Sequence, residues 1–421
     1  MKDITVILVH YVDLTALHKV LYSLKQITGR IKSIIAFQYK GQPVNSDHKY
    51  FNQIRFIRSQ QKLNEIIDHL ATPYVLFLQG TDFISPTINA HSLGIPHTKA
   101  VQGICYHSRN IVTHRPLLVS TSFLQKNQLF LTSHVPFKEA LLPAWLSMVE
   151  QSLQIIKDDG IVKQSRKSVS SNTIEKKKFI QKYQLQKVKA INPSISVMIS
   201  NYNMKNYVET AIVSCLLQNE PFQQILIIDD GSTDNSYHQI KQWHDGELVK
   251  VFNKKNGGKA RALNQLLPHV TSDFALELDA DDWLDPDAVS VIKTHLRSLH
   301  DRVAVLYGNL RRWKQLSDDV LFKGVSKGKK LIGTNDLLAY DFPLGPRIYR
   351  TSILKNEGGF PVIEFEDGRM YEDVSMLMQL SKKYQLHYQN FTVYNVREHI
   401  ASITKKYGAK WDEFLEIQKL T

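Results

Sequence analysis

The chain has 421 residues, of which 43% are hydrophobic and 22% charged, with a formal charge of +13. That is a globular composition, long enough for two domains of roughly 150 to 200 residues each. No apolar run approaches the ~18 to 20 residues of a membrane-spanning helix, and the opening "MKDITVILVHY" contains Asp3 and lacks a small-residue cleavage site, so it reads as a first strand of a cytoplasmic protein. The two cysteines, Cys105 and Cys215, lie far apart without metal-ligand spacing. They are expected to be buried small hydrophobes, with no disulfide framework and no zinc site.

In chain order, "ITVILVHY" from Ile4 and "IKSIIAFQYKG" from Ile31 predict buried strands. The segment "LNEIIDHLATPYVLFLQGTDFISP", Leu63 to Pro86, aligns without a gap to "LNQLLPHVTSDFALELDADDWLDP", Leu263 to Pro286. The strand starts correspond too, "ITVILVHY" to "ISVMISNY" from Ile195 and "IKSIIAFQYKG" to "FQQILIIDDGS". Weaker matches set "STSFLQKN" (Ser120 to Asn127) against "RTSILKNE" (Arg350 to Glu357) and "FKEALL" from Phe137 against "YEDVSM" from Tyr371. Order and spacing are kept, so the chain reads as two copies of one fold.

Between the copies, Ile161 to Ala190 carries nine Lys or Arg against one acid, Glu175. Its Ser, Gln and Lys composition predicts a linker over 161–193 ending in a basic helix. Such a run is usually a solvated face. The functional alternative is peripheral attraction to an anionic membrane or acceptor, worth up to ~1 kcal/mol per cation. No RNA- or DNA-binding motif accompanies the charge, so nucleic acid is not an expected partner.

In the second copy a strand is predicted at Ile195–Ser200, a helix at Asn206–Leu217 and a strand at Ile225–Ile228. A Gly turn then opens a helix in "NGGKARALNQLL", and "FALEL" follows as a strand. This alternation predicts an α/β domain with a mostly parallel sheet, whose ligands bind at the carboxyl ends of the strands. Acidic clusters sit there: "DDGSTD", "DADD" and, further on, "YEDVSM". One cluster after a strand often only caps a helix or fills a turn. Three at successive strand ends can instead present oxygens to a hard cation such as Mg²⁺ or Mn²⁺, which shares its remaining positions with water and phosphate oxygens.

These residues carry a family resemblance. From Ile195 to about Ile403 the sequence resembles a family 2 glycosyltransferase of the GT-A fold, through "SNYN" (Ser200 to Asn203), "IIDDGSTDNS" (Ile227 to Ser236), "NGGKARALN" (Asn256 to Asn264), "LELDADDWLDP" (Leu276 to Pro286), "YEDVSM" (Tyr371 to Met376) and "REHIASIT" (Arg397 to Thr404). The resemblance implies that Asp229 accepts from the base of a nucleotide, typically uracil, walled by Ser200 and Tyr202. It sets Asp279 at the ribose and Asp281 on the divalent metal, with His399 as a further ligand or diphosphate contact. Asp373 is the implied general base, taking the proton of an acceptor hydroxyl as it attacks the anomeric carbon with inversion, and Glu372 contacts the acceptor or supports the site. Asn256, Lys259 and Arg261 belong to the donor-binding loop. Either cation is a candidate for the diphosphate, because Leu263 stands where many relatives have an Arg. The Gln/Arg/Arg/Trp-type signature and membrane helices of processive relatives are missing, which favours transfer of one sugar at a time.

The first copy has lost the acids. Gln38, Tyr39, Gln79 and Thr81 replace Asp229, Asp230, Asp279 and Asp281, while Lys138 and Glu139 replace Glu372 and Asp373. Asp82, matching Asp282, survives, which marks Asp282 as a turn residue; Asp285 and Asp287 read as helix-start residues. The expected organisation is therefore a degenerate GT-A-like domain over 1–160, the linker, and a catalytic domain over 194–421. The expected reaction is sugar transfer from a UDP-sugar to a hydroxyl of a bacterial surface polymer, lipid-linked glycan or glycoprotein, with a homo-oligomer allowed. Nucleotidyl transfer and an inert scaffold are the competing readings.

Overall fold

The computed structural model describes residues 2–11, 13–38, 54–88, 92–129, 134–158, 160–165, 170–331, 336–337, 344–363, 365, 371–400, 410, 413–414 and 416. Two compact units divide after Gln184.

The first unit contains β1 (Ile4–Val9), β2 (Ile31–Phe37), β3 (Ile54–Ile57), β4 (Tyr74–Gln79), β5 (Asp82–Ile84), β6 (Val101–Ser108), β7 (Ile111–Ser120), β8 (Gln154–Lys157) and β9 (Val162–Gln164). Its main sheet has the order β3-β2-β1-β4-β7-β6-β8, and β5 pairs with β9. All six residues of β1 are buried, because the strand is covered on both faces: Val6 and Leu8 enter one apolar cluster, Ile7 and Val9 another. That explains a run without polar alternation. Asp13 caps the following helix, Leu14–Ser23, by accepting from the Ala16 N–H at 2.7 Å. The basic stretch read as a linker contains the helix Ser171–Gln181, capped by Ser170. This helix belongs to the first unit, with Lys176, Phe179 and Ile180 buried.

The second unit contains β10 (Ile195–Asn201), β11 (Gln224–Asp229), β12 (Val249–Asn253), β13 (Phe274–Asp279), β14 (Trp283–Leu284), β15 (Val303–Gln315), β16 (Val320–Ser326), β17 (Ile348–Arg350) and β18 (Gln385–Glu398). The sheet order is β12-β11-β10-β13-β17-β15-β18-β14, with β16 on β15. Val197 and Ile199 pack into the cluster on one face, Met198 into that on the other. The two sheets share their plan: β1 and β10 each lie between parallel neighbours, β4 and β13 each pair with an antiparallel strand (β7, β17), and that strand pairs antiparallel with β6 or β15. Both units are thus α/β with mostly parallel sheets, as expected.

Candidate active site

In the second unit three parallel strands end side by side. Register sets Asn201 of β10 opposite Asp229 of β11, and Ser200 of β10 opposite Asp279 of β13. The buried Asp229 accepts from Asn201 Nδ2 at 2.7 Å and from the Ser232 N–H at 2.9 Å. Ser200 is half-buried and Tyr202 is 46% exposed, so this strand end meets solvent.

Asp230 organises the neighbouring loop. Its carboxylate accepts from Lys254 Nζ at 2.7 Å and from the Gly257 and Gly258 N–H groups at 3.0 and 2.7 Å. Asn256, expected to contact the donor, is tied into the same knot: its Nδ2 donates to the Asp230 carbonyl at 2.9 Å and carboxylate at 3.2 Å. Arg261 Nη1 donates to the Gly257 carbonyl at 2.8 Å. The loop is shaped before the helix Lys259–Leu266 begins.

Lys259, expected at a diphosphate, answers three carboxylates. Its Nζ lies 2.5 Å from Asp279, 2.7 Å from Glu277 and 3.5 Å from Glu372. Burial disfavours its charge, but Asp279, Glu277 and Glu372 together hold the ammonium well above the usual lysine range. Glu277 is closed from the other side by Arg347, whose Nε and Nη2 donate at 2.9 and 3.0 Å. Burial works against the Glu277 charge, yet Arg347 and Lys259 keep its pKa well below that of an ordinary carboxylate.

The same guanidinium reaches Asp373, donating from Nη1 to Oδ2 at 3.1 Å. Asp373 and Glu372 open the helix Glu372–Ser381, where the helix dipole favours anions. Burial pushes Glu372 up to about 7; Asp373 and Glu277 add to the rise and Lys259 opposes it. Contacts of 3.5 Å or less therefore run unbroken from Asp279 through Lys259, Glu277 and Arg347 to Asp373.

Asp281 and His399 meet, with Oδ2 and Nε2 2.8 Å apart. The His399 ring lies against Tyr207, centroids 4.6 Å apart. Arg397 fixes the turn below them: its Nε donates to the Asp281 carbonyl at 2.8 Å and its N–H to Asp282 at 2.7 Å, while its guanidinium covers the Tyr207 and Trp283 rings. Burial, reinforced by Asp281 and Asp279, raises Asp282 well above the usual carboxylate range. The Asp281 carboxylate is the kind of oxygen donor that a cation of the Mn²⁺ or Mg²⁺ class takes, leaving further positions to water and phosphate, and the His399 nitrogen in direct contact with it is the neighbouring candidate donor.

Asp285 requires a correction. It does not start a helix; it is fully buried, accepting from Arg311 Nη1 at 2.6 Å and Asn395 Nδ2 at 2.8 Å. Asp287 does precede the helix Ala288–Leu296 as its N-cap residue.

The matching strand ends of the first unit hold no such acids. Gln38 Oε1 bonds His10, and Gln79 Oε1 accepts from Arg115 at 3.2 Å. Asp82 is consumed structurally, accepting from Arg115, Tyr106, Gln164 and the Gln79 N–H at 3.0 to 3.1 Å. Glu139 pairs with Lys176 at 3.3 Å. Thr81 is half-buried, and Tyr39 lies outside the described residues.

The Glycosyl transferase family 2 profile matches residues 196–355. This stretch is a family 2 glycosyltransferase domain. The chain is 36% identical over 100 residues to chondroitin synthase of Pasteurella multocida (strain Pm70), covering 24% of this chain and 10% of that protein. It is 35% identical over 97 residues to the poly-beta-1,6-N-acetyl-D-glucosamine synthase of Staphylococcus epidermidis, covering 22% of this chain and 23% of that one. It therefore spans less than a quarter of either relative. Among solved structures, S. aureus TarS 1–349 in complex with UDP-GlcNAc aligns with half of this chain and 60% of its own, at 21% identity and a TM-score of 0.39.

Motif reading did not single out Glu277 or Arg347, and it named Asp230 among the acids missing from the first copy without giving it a role. Glu277 did leave a signal, being a lone acid inside the apolar strand "FALEL", where a charge must find a partner. Arg347 left none, since it is 70 residues from Glu277 in the chain.

Proposed function

We propose that the second unit is an inverting glycosyltransferase that moves a sugar from a UDP-sugar to an acceptor hydroxyl, with a divalent cation at Asp281 and His399. The observation that carries this reading is the unbroken chain of contacts that joins the strand-end acid Asp279 to Asp373. A nucleotide base meets Asp229 and the "SNYN" segment, and its ribose meets Asp279. Asp373, held by Arg347, takes the proton of the acceptor hydroxyl as the oxygen bonds to the anomeric carbon. The bond from that carbon to the diphosphate oxygen breaks on the opposite face, so the configuration inverts and UDP departs. A bound Mn²⁺ or Mg²⁺ would supply positive charge for the departing diphosphate. Lys259 stands beside Asp279 as a further cation for it.

The acceptor is proposed to be a glycan, a surface polymer of the polysaccharide or teichoic-acid type, or a glycoprotein. The names of the relatives support that class. The first unit is proposed to be a degenerate copy of the same fold, retained for packing, acceptor binding or dimerisation; the shared strand plan and the lost acids support this. Among the described residues no helix is long and apolar enough to cross a membrane, so any membrane attachment through the basic stretch 161–193 would be peripheral.

Two substitutions test the assignment. Asp281→Ala should abolish the metal-dependent part of UDP binding in calorimetry. Asp373→Asn should leave UDP affinity intact while lowering kcat by ~10² to 10⁴, the contribution of a positioned base. Full turnover in Asp373→Asn removes it as the base.

A further inference from the structure

The first unit holds a second group of donor atoms, at the end of the β6–β7 hairpin. Cys105 and His107 are two residues apart on β6 and project from the same face. His114 of β7 pairs directly opposite Cys105. Lys157 of β8 pairs in parallel with Ile104, which brings the next residue, Asp158, alongside Cys105. One ligand atom each from Cys105, His107 and Asp158 lies within 4.8 Å of the other two, and His107 Nε2 is 2.8 Å from Asp158 Oδ2.

We propose that Cys105, His107 and Asp158, with His114 as fourth donor, form a binding site for a divalent transition-metal ion of the zinc class. The thiolate is the discriminating donor, one that zinc and its first-row neighbours take and that Mg²⁺ or Ca²⁺ do not. The charges match: one thiolate and one carboxylate neutralise a dication, and two neutral imidazoles complete a tetrahedral set. The spacing also matches. Ligands at about 2.0 to 2.3 Å from zinc sit roughly 3 to 4 Å from one another, so small side-chain rotations bring Cys105, His107 and Asp158, now within 4.8 Å of one another, to that spacing. His114 is placed by register, directly across the β6–β7 pair from Cys105.

The donors come from β7, β6 and the residue that follows β8, so the ion would clamp β7 and β6 to the end of β8. His107 and Asp158 have side chains 55% and 60% exposed, which leaves an entry path. On binding, the Cys105 thiol loses its proton to solvent as the sulfur–metal bond forms. Because the thiolate is the ligand, the ion competes with the proton for the sulfur. The expectation of no zinc site rested on two cysteines far apart without metal-ligand spacing, a pattern that does not register donors brought together across strands; Cys105 is half-exposed, where a buried residue was expected, and Cys215 is buried.

The test uses the full chain, stripped with a chelator and titrated with Co²⁺. One saturating equivalent should give a thiolate-to-cobalt charge-transfer band in the near ultraviolet, bleached by Zn²⁺. The band should vanish in Cys105→Ser and persist in Cys215→Ser and Asp281→Ala. His107→Ala, His114→Ala and the exposed-site variant Asp158→Asn should each weaken Co²⁺ binding by roughly 10- to 100-fold or more. Zn²⁺ should raise Tm in the unmodified chain and not in Cys105→Ser. A missing or non-saturating band, or one that survives Cys105→Ser, overturns the site; unchanged affinity in His114→Ala overturns the fourth donor. Sugar transfer is not used as a readout, so the result stands apart from the function proposed for the second unit.

Discussion

Arg347 serves two carboxylates with one planar group, forking onto Glu277 and leaving Nη1 for Asp373. Lysine cannot copy that fork, so Arg347 acts as a positioning residue for the base. Arg347→Ala leaves Glu277 buried with Lys259 as its remaining cation, and should cost about 3 kcal/mol, the lower end for a broken buried pair, in urea unfolding. Because the base loses its hold, kcat should fall by on the order of 10²-fold with UDP affinity unchanged; an unchanged kcat would leave Arg347 a purely structural residue. Glu372 makes a prediction about pH. Its pKa is about 7 in the folded chain against an ordinary 4.5, so between those values the folded state keeps a proton that the unfolded state has lost. Stability from this group is complete below about pH 4.5 and drains away as pH rises through 7. Glu372→Gln should therefore gain stability relative to the parent chain between pH 5 and 8, by up to about 3 kcal/mol. Parallel pH–Tm curves for the two proteins would disprove the shift.

At the scale of elements, the strands were legible in the sequence and the knots between them were not. Runs such as Ile195–Asn201 and Phe274–Asp279 are apolar because helices cover both faces, and burial on both faces writes itself directly into residue type. The acids at their ends stood out because nothing in a buried strand explains them. Their division of labour needed coordinates: Asp229 faces the strand end, whereas Asp230, the next residue, spends its carboxylate on Lys254, Asn256, Gly257 and Gly258. Asp285 likewise looked like a helix start until Arg311, on β15, was found against it. The Asp230 knot depends on close approach at Gly231, where φ is +72° and a Cβ would stand 2.5 Å from the Asn256 nitrogen. Gly231→Ala combines left-handed strain with that clash, and should cost roughly 1 to 3 kcal/mol and weaken UDP binding by displacing the Asn256–Gly258 loop. Thermal melts and calorimetry report the two effects separately, and a variant as stable as its parent would show that the loop yields freely.

For the whole molecule, one strand plan occurs twice with two different fates at its functional edge. In the second unit the acids Asp229, Asp279, Asp281 and Asp373 stand at or beside the strand ends. In the first, Gln38 and Gln79 bond to His10 and Arg115, and Asp82 is saturated by four donors. Asp82, the counterpart of the turn residue Asp282, keeps a structural role by accepting from Arg115, Tyr106, Gln164 and a backbone N–H, so the substituted acids at 38, 39, 79 and 81 carry the proposal that the first unit binds no nucleotide. The chain should accordingly bind UDP with a stoichiometry of one in the presence of Mn²⁺. In Asp229→Ala or Asp281→Ala the titration should flatten, with no residual equivalent from the first unit. Adding acids back as Gln79→Asp with Thr81→Asp should not create a second equivalent, because Arg115 would pair with the new carboxylate at position 79 in place of Gln79 and leave it unavailable. Two equivalents in the parent chain, or one surviving in Asp229→Ala, would mean that the acid-poor edge binds nucleotide by other means and that its strand plan was kept for more than packing.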